Sequence, residues 1–298
     1  MNDSADQDVV IASSGLTVTI SPDGAELRRI VDEAGRDLLW DGDPAFWTGR
    51  APILFPIVGG LNGGEYRLDG VVHALPKHGF ARHSRFAPVA TSEAGVTFRL
   101  TDSAETRAVY PFAFVLDVAF WVEGDRLEIV ATVTNPGKVA LPLSFGFHPA
   151  LRWPLPYGGA RDAHVVRFDQ IEAHPVRGVT PDGLIAQDPL PTPVDGDVLA
   201  LRDDLFAADA IVFDRPESRG LWYGVPGQPG VRVDFPDMPQ LGIWTKPGAG
   251  YLCIEPWQGH ADPEGFAGDF REKPGVVQVM PGESRAFAMQ LAFGVIQG

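Results

Sequence analysis

The stretch Phe112-Ala113-Phe114-Val115-Leu116-Asp117-Val118-Ala119-Phe120-Trp121-Val122 decides the fold class. Phe112, Phe114, Leu116, Val118, Phe120 and Val122 alternate without a break. A period of two places them on one face of a half-buried strand. Glu123-Gly124-Asp125 then reads as a turn, and Leu127, Ile129, Ala131 and Val133 alternate after it. Asn135-Pro136-Gly137 is a second turn signal, followed by alternation at Val139, Leu141, Leu143, Phe145 and Phe147. This predicts three consecutive strands in a meander.

Outward from there the style does not change. The same alternation marks strands at 16–20, 26–31, 96–100, 231–235, 251–255, 276–280 and 285–293. Asp69-Gly70 inside Tyr66-Arg67-Leu68-Asp69-Gly70-Val71-Val72 is a strong hairpin signal. Pro281-Gly282-Glu283-Ser284 predicts another hairpin. No amphipathic helix of three turns is present, and the window 201–214 has room for one helical turn. Pro175, Pro181, Pro189, Pro191 and Pro193 make 171–200 a long connector rather than a domain boundary, because the strand pattern resumes beyond it. The chain is expected to be all-β: a large antiparallel sandwich in one domain over 9–298, after a short disordered acidic tail at 1–8.

Composition narrows the function. The chain has 298 residues and a single cysteine, which excludes a disulfide framework and a multi-cysteine zinc site. Lys+Arg 24 against Asp+Glu 39 gives −15, a poor match to nucleic acid or an anionic membrane. No apolar run approaches a membrane span, and the acidic start is the opposite of a signal peptide. A cytoplasmic protein is expected. No His-x-His pair, His-Glu-x-x-His helix, phosphate loop or Gly-x-Ser-x-Gly elbow occurs, so no metal site is expected.

Parity singles out two residues. Ala140, Pro142, Ser144, Gly146 and His148 share one face, opposite the large apolar residues. Small side chains leave room above a sheet, for another segment or for a ligand. Pro149 biases His148 toward an extended strand end. His148 is then either a structural cap or a working group at such an end. Tyr251, Cys253 and Glu255 share a face of a second apolar strand, again with a proline next, Pro256. An acid there is rarely buried unless paired, so Glu255 is either an ion-pair partner of an arginine or a functional carboxylate. Trp257 either covers a ligand or fills core, and Cys253 reads as an inert buried thiol. A third cluster, Pro76-Lys77-His78-Gly79-Phe80-Ala81-Arg82-His83, has a glycine suited to a tight turn. Its His78 and Arg82 either converge on a polar ligand or belong to a solvated basic loop.

Taken together the chain resembles the aldose 1-epimerase (galactose mutarotase) family, in its LacX-like branch. The resemblance rests on Arg50-Ala51-Pro52-Ile53-Leu54-Phe55-Pro56-Ile57-Val58-Gly59 and Pro76-Lys77-His78-Gly79-Phe80-Ala81-Arg82. It continues through Gly146-Phe147-His148-Pro149, Asp209-Ala210-Ile211-Val212-Phe213, Ile243-Trp244-Thr245-Lys246-Pro247 and Cys253-Ile254-Glu255-Pro256-Trp257. These segments follow the family's order and span most of the chain. The chain departs from the galactose-specific branch at Pro52-Ile53-Leu54-Phe55-Pro56.

The resemblance implies a galactose mutarotase-like β-sandwich with a sugar site on the concave face of one sheet. It implies that His148 is the general acid and Glu255 the general base of an isomerase that interconverts α and β anomers of a free aldose. His78 would hold the sugar near its ring oxygen, and Arg50, Arg82 and Asp209 would bind hydroxyls. The residue types suit this chemistry, since anomer exchange needs one proton taken from the C1 hydroxyl and one given to the ring oxygen. No metal, nucleotide or other cofactor is needed. A small sugar is the expected partner, to a monomer or weak homodimer, with no nucleic acid and no membrane. A sister branch acting on hexose 6-phosphates and a non-catalytic sugar binder on the same fold are the alternatives.

Overall fold

A computed structural model describes residues 7–297 of the chain. Of the expected tail at 1–8, residues 1–6 lie outside the described residues.

Two large sheets dominate. The first is nine-stranded, in spatial order Val198–Ala200, Val165–Phe168, Gly220–Gly224, Pro229–Asp234, Ser284–Ile296, Arg126–Thr134, Val115–Glu123, Gly95–Thr101 and Ala87–Thr91. The second, eight-stranded, runs Ile185–Leu190, Val176–Val179, Ile211–Phe213, Gln240–Trp244, Tyr251–Gln258, Phe145–Phe147 and Ile53–Leu54, with Ala150–Arg152 also pairing on Tyr251–Gln258. Ladders between these strands are antiparallel. A three-stranded sheet, Val9–Ala12, Leu16–Ser21 and Glu26–Asp32, stands beside them.

The alternation read from the sequence is what joins the sheets. Leu116, Val118, Phe120 and Val122 from one sheet and Leu241, Ile243, Leu252 and Ile254 from the other belong to one buried core. Phe145 of the eight-stranded sheet stacks on Phe287 of the nine-stranded sheet, 4.9 Å between centroids. Phe168 and Phe213 meet across the same gap at 5.3 Å. Aromatic residues supply much of such a core because each buries a large apolar area.

Three expectations are corrected. The third strand of the meander does not pair with the second, whose other neighbour is Ser284–Ile296. Instead the chain leaves the sheet at Asn135. The buried Asn135 amide donates to the carbonyls of Val139 (2.8 Å) and Val279 (2.7 Å), its side-chain oxygen accepts from Gly137, and Val139 is left exposed. The strand then divides into Leu141–Leu143, paired with Val277–Val279, and Phe145–Phe147 in the eight-stranded sheet. Second, the turn at 281–284 is present, with Glu283 N–H bonded to Met280, but its flanking strands pair elsewhere, so it closes no hairpin. Third, the connector 171–200 holds strands Val176–Val179, Ile185–Leu190 and Val198–Ala200, the last two at sheet edges. Pro189 is tolerated because an edge strand has one side with no ladder to break.

The Asp69-Gly70 hairpin forms as read: Glu65–Leu68 pairs with Val71–Ala74, and both turn residues take positive φ, 51° and 80°. One short α-helix, Ala104–Val109, was not read from the sequence. It is held by Ser103, which caps the Thr106 N–H while the Thr106 hydroxyl accepts from Ser103 N–H. In the window 201–214 the single helical turn is Asp203–Phe206. Among the described residues no helix is long and apolar enough to cross a membrane.

Candidate active site

The site is built on the face of the eight-stranded sheet turned away from the core. Parity puts it there. Along Tyr251–Gln258, Leu252 and Ile254 enter the core, so Cys253, Glu255 and Trp257 point the other way. In Ile211–Phe213 and Gln240–Trp244, Val212 and Trp244 do the same. The two segments that flank Tyr251–Gln258 on one side share one register: Gly146 faces Trp257, and Ala150 faces Cys253. That register carries His148 opposite Glu255.

His148 stands at the break between Phe145–Phe147 and Ala150–Arg152. Glu255 does not end its strand, as Pro256 had suggested; the strand runs on to Gln258. Pro256 is accommodated because the neighbouring strand is interrupted at His148-Pro149, and a proline inside a sheet needs such a gap. The small-residue face also has its explanation. A Cβ on Gly146 would lie 2.7 Å from the Trp257 ring, and one on Gly242 would lie 2.4 Å from it. The room above these glycines is filled by the indole, which lays the floor beside Glu255.

A cavity of about 270 Å³ opens over this floor. His148 and Glu255 lie in it, with Val58, Val179, Ile185, Val212 and Ala261 forming an apolar side. Trp47 and Trp244 form an aromatic one. His148 Nε2 is 3.2 Å from Glu255 Oε2, both side chains almost wholly buried. His148 Nδ1, Glu255 Oε2 and Trp257 Nε1 have no hydrogen-bond partner among the described residues.

Burial governs the charge state of the pair. It pushes His148 down to about 3, with Lys77 and Arg82 adding to the shift against a backbone hydrogen bond. It pushes Glu255 well above the usual carboxylate range, with Lys77 opposing and Asp209 reinforcing. Both shifts favour the neutral forms, imidazole and carboxylic acid.

His78 is held differently. It takes a positive φ of 67°, and Gly79 follows at 71°, where a Cβ would lie 2.3 Å from the Phe55 carbonyl oxygen. Its Nδ1 accepts a hydrogen bond from Gly59 N–H at 3.1 Å. Burial, with the neighbouring His148, Lys77 and Arg82 adding to it, keeps the ring well below its ordinary pKa. A neutral His78 with Nδ1 as acceptor carries its proton on Nε2 and offers a donor.

Of the sequence candidates, the cavity gathers His78, Arg82, His148, Asp209 and Glu255. Arg82 donates from Nη2 to the Lys77 carbonyl at 2.9 Å, and its Nε has no partner among the described residues. Asp209 takes a φ of 92° at the start of its turn into Ile211–Phe213. Arg50 is the exception: it is not among the residues that line the cavity. Its Nη1 donates to the Arg28 carbonyl at 2.8 Å, and its backbone N–H donates to Glu26. Both partners belong to the three-stranded sheet, while Arg50 Nε is buried with no hydrogen-bond partner among the described residues.

Several lining residues carried no site reading in the sequence, Trp47, Trp244 and Lys77 among them. Trp47 stacks on His148, and Lys77 reaches the cavity from an exposed position. The signal for Lys77 was its place next to His78; Trp47, in a loop with no periodicity, had none.

The comparisons with known proteins agree with the fold. The family model for aldose 1-epimerase matches residues 7–277. The chain therefore belongs to the aldose 1-epimerase family. Within that family it is 33% identical over 281 residues to the chromosomal protein LacX of Lactococcus lactis subsp. lactis, covering 89% of this chain and 92% of that one. The structure of a galactose mutarotase related enzyme from Lactobacillus acidophilus superposes with a TM-score of 0.89 at 30% identity, over 98% of each chain. A galactose mutarotase-like protein from Lactobacillus casei superposes at 0.88 with 28% identity, over 96% of this chain and 100% of that one.

Proposed function

We propose that the protein is an isomerase, an aldose 1-epimerase that interconverts the α and β anomers of a free aldose. The carrying observation is the buried pair His148–Glu255, 3.2 Å apart at the floor of a cavity with one aromatic and one apolar side. A sugar presents hydroxyls to such a floor and C–H faces to such walls.

The pair shares one transferable proton, in two distributions. With imidazolium and carboxylate, Glu255 takes the C1 hydroxyl proton as His148 gives one to the ring oxygen. The ring opens to the aldehyde, leaving imidazole and carboxylic acid. Rotation about C1–C2 presents the other face, and reclosure returns both protons by the same route. Burial favours the neutral distribution, so it stabilises the pair in the state that faces the open-chain aldehyde. His78, neutral with a donor on Nε2, holds a sugar oxygen. Arg82 and Asp209 bind hydroxyls, and Trp47 and Trp244 cover a C–H face. Each proton-transfer group typically contributes roughly 10²–10⁴-fold.

A second reading, a hexose 6-phosphate as substrate, draws on Lys77 and Arg82 at the same cavity. Proton spectra of the protein with freshly dissolved α-anomers of several aldoses and of glucose 6-phosphate test both. Exchange of neutral sugars well above buffer supports the first. A large salt-sensitive preference for the phosphate supports the second. No exchange with any sugar, despite measurable binding, would leave a sugar-binding protein.

A further inference from the structure

We propose that His148, Cys253 and Glu255 form a binding site for a thiophilic divalent cation such as zinc, and that its occupation blocks the acid–base pair. Binding stands on the side-chain geometry alone; the blocking effect rests on the epimerase reading.

The three potential ligand atoms lie within 4.8 Å of one another, and all three residues are buried. The strand register is the reason. Cys253 and Glu255 point from one face of the same strand, and His148 stands across from Glu255. Zinc bonds of ~2.0–2.3 Å bring ligand atoms to roughly 3.5 Å apart. His148 Nε2 and Glu255 Oε2 already meet that at 3.2 Å, so only the thiol has to close in. Glu255 Oε2 is buried, with His148 Nε2 at 3.2 Å and no satisfied hydrogen bond among the described residues.

Charge balance favours this ligand over a proton or a simple cation. A divalent ion with one thiolate, one carboxylate and a neutral imidazole is neutral overall, so its burial leaves no uncompensated charge. Lys77 and Arg82 on the cavity wall therefore set no net repulsion against the filled site. Thiolate with imidazole selects zinc, cadmium or cobalt over magnesium or calcium. Binding expels two protons to solvent, the thiol's and the one that His148 and Glu255 share. Three protein ligands leave a further position facing the cavity, open to water or to a sugar hydroxyl. The same ion would occupy His148 Nε2 and Glu255 Oε2, the two atoms that have to exchange protons.

Cobalt(II) titration of the metal-stripped protein is the first measurement. We expect one equivalent to bind with a thiolate-to-cobalt absorption band, and zinc to displace it. X-ray absorption of the zinc-loaded parent should show a sulfur neighbour near ~2.3 Å, a readout that needs no variant. Cys253→Ser should lose the band and weaken zinc by about tenfold or more. Zinc inhibition of the variant, measured against its own metal-free rate, should weaken by the same factor. Absence of both the band and the sulfur neighbour would overturn the proposal, as would zinc binding equally well to Cys253→Ser. A thiolate-ligated metal on a protein with no epimerase activity would uphold the site and sink only the functional reading.

Discussion

The Trp47 indole lies stacked on the His148 imidazole, with ring centroids 4.9 Å apart and planes 29° from parallel. Trp244 meets both rings edge-on, at 5.5 Å from Trp47 and 5.9 Å from His148. Trp47 is fixed in turn by Trp40, whose indole N–H donates to the Trp47 carbonyl at 2.8 Å. The imidazole is therefore packed between aromatic surfaces, and its orientation depends in part on a loop residue. An aromatic face also favours an imidazolium over an imidazole, by ~0.5–2 kcal/mol. This opposes the burial that drives His148 the other way.

Replacing that face tests the relationship. Trp47→Leu should lower the His148 pKa by about half to one and a half units, from the same ~0.5–2 kcal/mol. The limb of kcat/KM on which activity falls as His148 loses its proton should move to lower pH. Trp47→Phe keeps an aromatic face and should restore most of the profile. A Trp47→Leu variant with lower activity and an unshifted profile would show that Trp47 only fills space.

Glu255→Gln keeps the shape of the side chain and its hydrogen-bonding capacity but cannot take a proton at neutral pH. Anomer exchange should fall by about two orders of magnitude or more, the contribution of one proton-transfer group. Affinity should change much less, because His78, Arg82 and Asp209 remain in the cavity. Removing a buried carboxyl that burial already drives toward its neutral form should leave the melting temperature near the parent's. A large loss of stability with unchanged exchange would make Glu255 structural.

The parity argument reached the site because it needs only local backbone geometry. Gly146 with His148, and Cys253 with Glu255 and Trp257, share the outer face as their spacing requires. The same argument failed at Val139, because the corner at Asn135 depends on the Val279 carbonyl, which is 144 positions away. It could not place Arg50, whose direction is set by the carbonyl of Arg28 on another sheet. Trp47 was invisible for a related reason: loop residues carry no period, and only the folded chain brings one over His148. What was legible was alternation; what was not were the long-range hydrogen bonds and loop placements that alternation cannot encode.

His148→Asn should remove most epimerase activity and also alter the response to acid. His148 is held neutral in the folded protein, with its pKa pushed down to about 3, whereas the unfolded chain protonates it near its ordinary 6.5. Between those values the unfolded state binds the extra proton, so stability falls as pH falls through the window and is full above it. Glu255, displaced upward, acts in the opposite sense as pH rises above the ordinary carboxylate range. Removing His148 should flatten the stability profile by ~1.4 kcal/mol per pH unit across that window. His78, His164 and His260, displaced downward as well, should keep part of the slope. Urea unfolding at several pH values reads the difference. Parallel profiles for parent and variant would mean that His148 is not buried neutral.

The cavity wall depends on an ion pair hidden behind it. Lys273 Nζ lies 3.1 Å from Asp262 Oδ1, with the two side chains 0% and 4% exposed. Burial lowers the Lys273 pKa, and Asp262 opposes that shift. Asp262 Oδ2 accepts from the Asn62 N–H at 2.9 Å, while its backbone joins Gly60 and Ile185. Asp262 therefore ties Gly59-Gly60, Ile185 and Ala261 into one wall of the cavity. Removing one partner of such a pair strands a buried charge, a loss of about 3–5 kcal/mol. Asp262→Asn should therefore destabilise strongly, and it should raise KM as the wall loosens. Replacing both partners by apolar residues of similar size should recover much of the stability, since a buried ion pair is often no better than good packing. It should not recover KM, because an apolar residue at 262 cannot accept the Asn62 N–H that Asp262 Oδ2 accepts. Chemical denaturation and sugar titration of the single and double variants separate the two effects. A single variant as stable as the parent would show that water or another group relieves the buried charge.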